Sequence, residues 1–246
     1  MKKRLKKYVN WFLTRSFSCR LVHDQFCVDT DMDVWQRLKC QGLSPRGVID
    51  VGAAHGCWTR QFKKLYSDVK IAMVDPLEEN LASLKCTCED LHDVTYWQGV
   101  LGSNIGEVNF FVHGDQSSMF DSEWRKESSM RSVPMVTLDN LVQRMGCDSS
   151  VEALKLDVQG AELDVLRGGP NVLRMCNVVQ VEVIFRKIYD GAPLAQEVVA
   201  FFHENGFRIY DIASIMKRKD QALLQADLFF VKDDALFYPE LWGNRV

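Results

Sequence analysis

Paired cysteines of the CxxC type are missing from this sequence of 246 residues, although it contains eight cysteines. Cys86 and Cys88 stand close together, but no second pair completes a four-ligand zinc site. A secretory signal pattern is also missing from the N-terminus. We therefore expect reduced thiols and a cytoplasmic protein rather than a disulfide framework.

Long apolar runs and a strong net charge are missing as well. No run approaches the ~20 residues that a membrane-spanning helix needs. The formal net charge of -3 gives no general attraction to nucleic acid, so no nucleic-acid partner is expected. Residues 2–20 are an exception, because basic and apolar side chains alternate there. Such a helix either contacts a membrane surface or packs its apolar face on the protein, and we favour packing.

Short apolar strands alternate with helical segments along most of the chain. This alternation predicts an α/β, Rossmann-like fold with a mostly parallel seven-stranded sheet and helices on both faces. We predict an N-terminal helical extension over residues 1–42 and a single domain over 43–246. The predicted strands are Gly47–Val51, Ile71–Asp75, Val94–Trp97 with Val100–Leu101, Ala153–Asp157, Val178–Val183, and an antiparallel pair at Phe207–Ile212 and Ala226–Val231.

The pattern changes between the third and fourth of these strands. Val108–Val112 predicts an added hairpin strand, and the polar stretch Asp115–Arg131 predicts a long loop. Loops of this length often form lids or binding surfaces. Within it, Trp124–Lys126 with Arg131 indicates either an acceptor-facing surface or a solvated loop, and the solvated loop is favoured.

A turn rich in small residues follows the first strand. Ligands of open α/β sheets bind beyond the carboxyl ends of the strands, where small residues allow close approach. The turn does not match GxGxxG, because Ala54 and Cys57 stand at two of its positions, and a pyrophosphate-binding NAD site is disfavoured. A nucleoside with an amino-acid tail fits better. The predicted cofactor contacts in and beside the turn are Asp50, Gly52, Ala53, Ala54, His55 and Gly56.

Two acids near the strand ends have alternative interpretations. Asp75 ends the second strand, where a carboxylate can accept hydrogen bonds from both hydroxyls of a ribose. The alternative is a capping role for the helix that follows Pro76. Asp50 either orders the glycine turn or receives the cofactor's ammonium group.

Four segments together resemble the FkbM family of class I methyltransferases. They are IDVGAAHG at residues 49–56, MVDP at 73–76, VTLDNLV at 136–142 and LKLDVQGAELDVLRGG at 154–169. The resemblance covers Arg46 to Phe185. It implies S-adenosyl-L-methionine as the cofactor and O-methylation of a hydroxyl, often on a sugar, glycan or secondary metabolite.

The resemblance adds cofactor contacts and shows two departures. The resemblance implies that Ser117 and Ser118 contact the cofactor or acceptor, while a solvated loop is an equal alternative. Val100 joins the predicted cofactor site. Family members usually carry Asn where Ala54 stands and often Glu where Gln159 stands. These departures motivate an alternative function as a non-catalytic nucleoside-binding or scaffold protein.

Three acids are the predicted catalytic residues, because a neutral hydroxyl needs a base to become a nucleophile. Asp157 ends the fourth strand and is the first candidate. Glu182 interrupts an apolar strand, where an unpaired carboxylate is costly to bury. Glu162 either borders the same cleft or only interacts with the start of its helix. His55 and His113 are further candidate bases.

A metal is a weaker alternative for these acids. Three carboxylates at one cleft could hold a divalent cation through oxygen ligands, but we predict no metal site. The acceptor's identity and the oligomeric state are not predicted.

Overall fold

The computed structural model describes residues 29–114, 116–122, 129–146 and 150–235. The basic segment at residues 2–20 and the surface predicted at Trp124–Lys126 lie outside these residues. Within the described ranges, no helix is both long and apolar enough to cross a membrane.

Seven helices and ten strands are described. The helices are α1 Asp31–Cys40, α2 Cys57–Leu65, α3 Leu81–Asp90, α4 Leu138–Met145, α5 Glu162–Arg167, α6 Pro170–Met175 and α7 Ala195–Glu204. The strands are β1 Gly47–Val51, β2 Lys70–Asp75, β3 Val94–Gln98, β4 Val100–Leu101, β5 Gly106–Val112, β6 Ser129–Val136, β7 Val151–Leu156, β8 Val178–Ile184, β9 Phe207–Lys217 and β10 Leu223–Lys232. A short 3₁₀ turn, Glu78–Asn80, precedes α3.

Seven strands form one sheet in the order β3-β2-β1-β7-β8-β10-β9. Strand β10 runs antiparallel to both of its neighbours, whereas the other neighbouring pairs are parallel. The predicted mostly parallel α/β fold and its final antiparallel pair are confirmed. Strands β1 and β7 lie side by side although β2 to β6 separate them in the chain, so the strand order reverses there. This is the position at which open α/β sheets bind ligands.

Helices cover both faces of this sheet. All five residues of β1 are buried, as expected for a strand that is covered on both sides. Helices α4 to α7 pack on one face, and α1 to α3 pack on the other. Trp35 of α1 is fully buried and makes edge contacts with Trp58, Phe62 and Phe229. Helix α1 therefore contributes to the core although its sequence lies in the predicted N-terminal extension.

A second sheet corrects two details of the sequence prediction. The sequence analysis expected one strand region at Val94–Trp97 and Val100–Leu101. The structure has two strands there, β3 and β4, which belong to different sheets. Gly99 separates them and has a φ of +152°. The expected loop at Asp115–Arg131 ends in a strand, because Ser129–Arg131 begins β6. Strand β6 pairs antiparallel with β5 and parallel with β4. Most of β6 is exposed, so its sequence lacks the apolar alternation that predicts a strand.

Candidate active site

A cleft of about 400 Å³ opens at the carboxyl ends of the central strands. It lies beside the reversal of strand order between β1 and β7. Seven of the predicted site residues line it, namely Gly52, Ala54, Asp75, Val100, Ser117, Asp157 and Glu182. The structure therefore brings together the predicted cofactor and catalytic groups from six separate segments of the chain.

The glycine turn is held tightly between the ends of β2 and β7. The backbone N–H groups of Gly52 and Ala53 both donate to the carbonyl oxygen of Val74, at 2.9 and 3.0 Å. Gly52 has a φ of +77°, and a Cβ atom there would lie 1.8 Å from the carbonyl oxygen of Asp157. Close packing against the end of β7 already requires glycine at this position.

Asp75 connects the cleft to the turn. Its Oδ2 accepts from the N–H of Ala54 at 2.8 Å. Its Oδ1 accepts from the N–H of Leu77 at 3.0 Å and from Nδ2 of Asn80 at 2.9 Å. Burial raises the pKa of Asp75, and these hydrogen bonds oppose the rise. The capping role considered from sequence is wrong, because the 3₁₀ turn and α3 both begin without a side-chain cap. The bond to Leu77 is a local contact, and Asp75 also lines the cleft.

Asp50 lies beneath the turn and is fully buried. Its Oδ2 accepts from Oγ1 of Thr59 at 2.7 Å, and its Oδ1 lies 3.1 Å from Nζ of Lys155. This placement favours ordering of the turn over direct contact with an ammonium group. The other predicted turn contacts outside the cleft lining are Ala53 and Gly56, which are buried, and His55, which is exposed.

The two serines and His113 lie in the segment after β5. Ser117 accepts from the N–H of His113 and donates to the carbonyl oxygen of Gly114, both at 2.7 Å. Ser118 is fully buried and donates to the carbonyl oxygen of Gln159 at 2.7 Å. His113 is exposed and outside the cleft lining. Both hydroxyls therefore stabilise the segment, and only Ser117 lines the cleft.

Asp157 and Glu182 lie together at the cleft, as predicted. One amide nitrogen, Nε2 of Gln159, donates to Oδ1 of Asp157 at 2.9 Å and to Oε2 of Glu182 at 2.7 Å. Burial raises the pKa of Glu182 well above its ordinary value, and repulsion from neighbouring acids, Asp157 first, raises it further.

Glu162 does not line the cleft, which favours the second of its two interpretations from sequence, a local contact near the start of its helix. It is buried outside the cleft lining, and its Oε1 accepts from the N–H groups of Val158 at 3.2 Å and Gly160 at 3.1 Å. Burial raises its pKa to about 7, although these hydrogen bonds oppose the rise. The five-residue spacing from Asp157 does bring Glu162 near the cleft, but its carboxylate is used to hold the strand-to-helix turn.

Lys155 is a buried charge of the site that the sequence analysis missed. Its Nζ donates to the carbonyl oxygen of Gly52 at 2.8 Å and lies 3.6 Å from Oδ2 of Asp157. Burial disfavours its charge, but attraction to Asp50 and Asp157 outweighs that effect and raises its pKa. A lysine inside the apolar strand sequence LKLD was the available signal.

Apolar residues form the wall beside Asp75, and the sequence analysis predicted only one of them, Val100. Leu77, Val100 and Phe110 form a small buried cluster, and Met119 packs against it. All four line the cleft. Leu77 and Met119 lie in loops, so no strand or helix periodicity marks them. No group of three or more His, Cys, Asp or Glu side chains arranged to hold a metal ion is found in the part of the chain that is described.

Comparison with known proteins identifies the domain. The family described as Methyltransferase FkbM domain matches residues 50–209. The 2-O-methyltransferase NoeI of Sinorhizobium fredii is 22% identical over 162 residues, which are 58% of this chain and 65% of that protein. The chain therefore spans slightly less than two thirds of this relative.

Similar folds occur among solved structures. A methyltransferase FkbM from Methylobacillus flagellatus has a TM-score of 0.49 at 13% identity, over 76% of this chain and 44% of that chain. Magnesium protoporphyrin IX methyltransferase from Synechocystis PCC 6803, solved with bound S-adenosylmethionine, has a TM-score of 0.48 at 11% identity, over 94% of this chain and 96% of that one. The family match covers well over half of the sequence and confirms both the resemblance and the cofactor that it implies, S-adenosyl-L-methionine. This chain belongs to the FkbM methyltransferase family.

Proposed function

We propose that this protein is an S-adenosylmethionine-dependent O-methyltransferase that acts on a hydroxyl of a sugar, glycan or secondary metabolite. The observation that carries the proposal is the meeting of Asp75, Asp157 and Glu182 at one cleft beside the glycine turn. The family match and the low-identity relationship to a 2-O-methyltransferase support it.

The cleft has the chemistry that the cofactor needs. In this proposal Asp75, which lines the cleft, accepts a hydrogen bond from the ribose, and the apolar wall of Leu77, Val100 and Phe110 suits an adenine ring. The acidic side chains at the cleft complement a molecule that carries a sulfonium and an ammonium group. When bound, the cofactor supplies a methyl group that is electrophilic because it is attached to a positively charged sulfur.

In this proposal the protein's own acids prepare the acceptor. Asp157 takes the proton of the acceptor hydroxyl, and Glu182 orients that hydroxyl by a hydrogen bond. Lys155, 3.6 Å from Asp157, stabilises the carboxylate of the base. Holding the reacting groups in line contributes most of the rate, since orientation alone is worth ~7–11 kcal/mol in favourable systems.

The test combines cofactor binding with acceptor screening. The wild-type protein is titrated calorimetrically with S-adenosylmethionine and S-adenosylhomocysteine. It is then incubated with free sugars, oligosaccharides and phenolic or aliphatic alcohols, and S-adenosylhomocysteine release is measured together with the product mass. We expect saturable binding and methylation of at least one hydroxyl acceptor.

Asp157→Asn separates binding from chemistry. We expect it to retain cofactor affinity within about twofold, because the side chain keeps its size, and to lose turnover by about 100-fold or more, because its base is gone. Asp164→Asn is the matched control, because Asp164 lies on α5 outside the cleft lining and pairs only with Arg167 among the ion pairs that the described residues form. Tight cofactor binding without transfer to any acceptor would favour the non-catalytic alternative. Wild-type turnover in Asp157→Asn would remove Asp157 as the base.

A further inference from the structure

Gln159 makes side-chain or backbone hydrogen bonds to four residues around the cleft. Its Nε2 donates to Asp157 and Glu182, its Oε1 accepts from the hydroxyl of Tyr189, and its carbonyl oxygen accepts from Ser118. Tyr189 and Ser118 are both almost fully buried. One residue thus connects the two acids of the cleft to the segments after β8 and β5.

The hydrogen bonds fix which way the amide points. A glutamine amide has two N–H donors, and here both are used by carboxylate oxygens. The reversed amide would place its oxygen against two carboxylates and its nitrogen against the Tyr189 hydroxyl. The two carboxylates therefore select the orientation in which the nitrogen faces the acids, and the Tyr189 hydroxyl donates to the amide oxygen on the other side.

The backbone at this position is also specialised. Gln159 has a φ of +55°, the left-handed region that non-glycine residues seldom adopt. Glu162 accepts from the N–H groups on both sides of it, at Val158 and Gly160. Conformations of this kind persist where surrounding contacts over-determine them, and they cluster at functional sites.

The two segments that contact Gln159 also contact each other. The N–H of Asp190, after β8, donates to the carbonyl oxygen of Asp121, after β5, at 2.9 Å. Within the segment after β5, the N–H of Phe120 donates to Oγ of Ser118 at 3.0 Å. A Cβ atom on Gly160 would lie 2.7 Å from Cβ of Ala192, which shows how closely the segment after β8 packs on this turn.

We propose that Gln159 is a positioning residue that holds Asp157 and Glu182 as one hydrogen-bonded acid pair facing the cleft. A glutamate at this position would bring a third carboxylate and no N–H donor, so the pair would have to bind an additional proton to stay together. Gln159 removes that requirement, because its amide donates to both carboxylates. The role of the pair in methyl transfer rests on the proposed function, whereas its geometry does not.

Other charged groups also face the pair and are present in every variant compared below. Glu182 feels repulsion from Glu162 and Asp227 and attraction to Lys155, in addition to repulsion from Asp157. Asp227 lies directly opposite Glu182 on β10. An effect of Gln159 must therefore be measured as a difference between variants that leave these groups unchanged.

Carboxyl titration followed by ¹³C NMR tests the proposal without an acceptor or cofactor. The protein is labelled at the side-chain carboxyl carbons of Asp and Glu, and the Glu182 signal is assigned by its loss in Glu182→Gln. We expect Gln159→Glu to raise the titration midpoint of Glu182 by about one pH unit or more, since donors to the charged form are replaced by a like charge. Tyr189→Phe should shift it in the same direction by less, because the amide oxygen then loses the hydrogen bond that holds the side chain against the acids.

Gln116→Glu is the matched control, since it adds a carboxylate at an exposed position of the same cleft. It should leave the Glu182 midpoint within a few tenths of a pH unit. If Gln159→Glu is poorly folded, Tyr189→Phe provides the decisive measurement. Glu182 midpoints that are unchanged in both variants would overturn the proposal. Failure of the wild-type protein to bind S-adenosylhomocysteine in calorimetry would contradict the proposed function and leave the acid pair intact.

Discussion

Nζ of Lys155 on β7 donates a hydrogen bond to the carbonyl oxygen of Gly52 at 2.8 Å. The same ammonium group lies 3.1 Å from Asp50 and 3.6 Å from Asp157. One buried cation thus connects the glycine turn, the acid beneath it and the proposed catalytic base. The turn and the base are consequently held at a fixed relative position.

Loss of this cation should be strongly destabilising. We expect Lys155→Met to lower the free energy of unfolding by about 3–5 kcal/mol, because Asp50 would remain buried without its ion pair. Urea denaturation measures the effect, and Lys70→Met, at the exposed start of β2, is the control. Combining Lys155→Met with Asp50→Asn should recover part of the loss. A loss below about 1 kcal/mol for Lys155→Met would show that the pair is not important for stability.

Asp75→Ala should weaken cofactor binding more than any change in its neighbours. The substitution removes the acceptor proposed for the ribose, one hydrogen bond to the glycine turn at Ala54, and two to the segment after β2, at Leu77 and Asn80. We expect a 10- to 100-fold rise in the Kd for S-adenosylhomocysteine, about the value of charge-assisted hydrogen bonds. Asn80→Ala removes one of these bonds but keeps the carboxylate, so it should cost less. Equal affinity of Asp75→Ala and the wild-type protein would contradict the ribose assignment.

Gly52→Ala should impair both folding and binding. The added Cβ would meet the carbonyl oxygen of Asp157 at 1.8 Å, and φ is +77°. The ends of β1 and β7 must then move apart. We expect a loss of several kcal/mol by denaturation, of the order seen for overpacking combined with backbone strain. Gly106→Ala is the control because a Cβ there would meet no atom within 4 Å. Comparable stability of the two variants would contradict this packing argument.

Glu162 should make the protein less stable as the pH rises. Its pKa is about 7 in the folded protein against 4.5 ordinarily, so the folded state binds more protons between these values. Stability from this group is therefore greatest below pH 4.5, falls as the pH rises to about 7 and then levels off. Glu162→Gln should flatten the dependence of Tm on pH in that interval and raise Tm at pH 8. Glu204→Gln, on the exposed part of α7, is the control. A Glu162→Gln curve parallel to wild type would refute the assignment.

Strand positions and the location of the cleft could be predicted from sequence because both follow from local patterns. A strand covered on both faces is a nearly continuous apolar run, as at Gly47–Val51, where only Asp50 is charged. Small residues follow this strand, and Asp75 and Asp157 stand at the ends of two other predicted strands. Because the carboxyl ends of parallel strands meet at one edge of the sheet, these residues predict a shared cleft. Strand β6 could not be predicted, because its exposed face carries polar residues and Pro134.

The roles of individual acids needed the tertiary structure. Asp157, Glu162 and Glu182 are equivalent carboxylates in a sequence, yet two line the cleft and Glu162 binds backbone N–H groups. The hydrogen-bond partner of each carboxylate depends on which groups of other strands and loops lie close to it in the folded protein. The spacing of residues along the sequence does not determine these distances.

The sequence by itself determined the fold class, the family and the edge of the sheet where the site lies, because apolar periodicity and short motifs are local. Only the tertiary structure decided that Lys155 lies beneath the turn, and that Gln159, a departure from the family pattern, joins Asp157 to Glu182. These contacts join β7, β8 and loops that are distant in the chain, and folding alone brings them within hydrogen-bond distance.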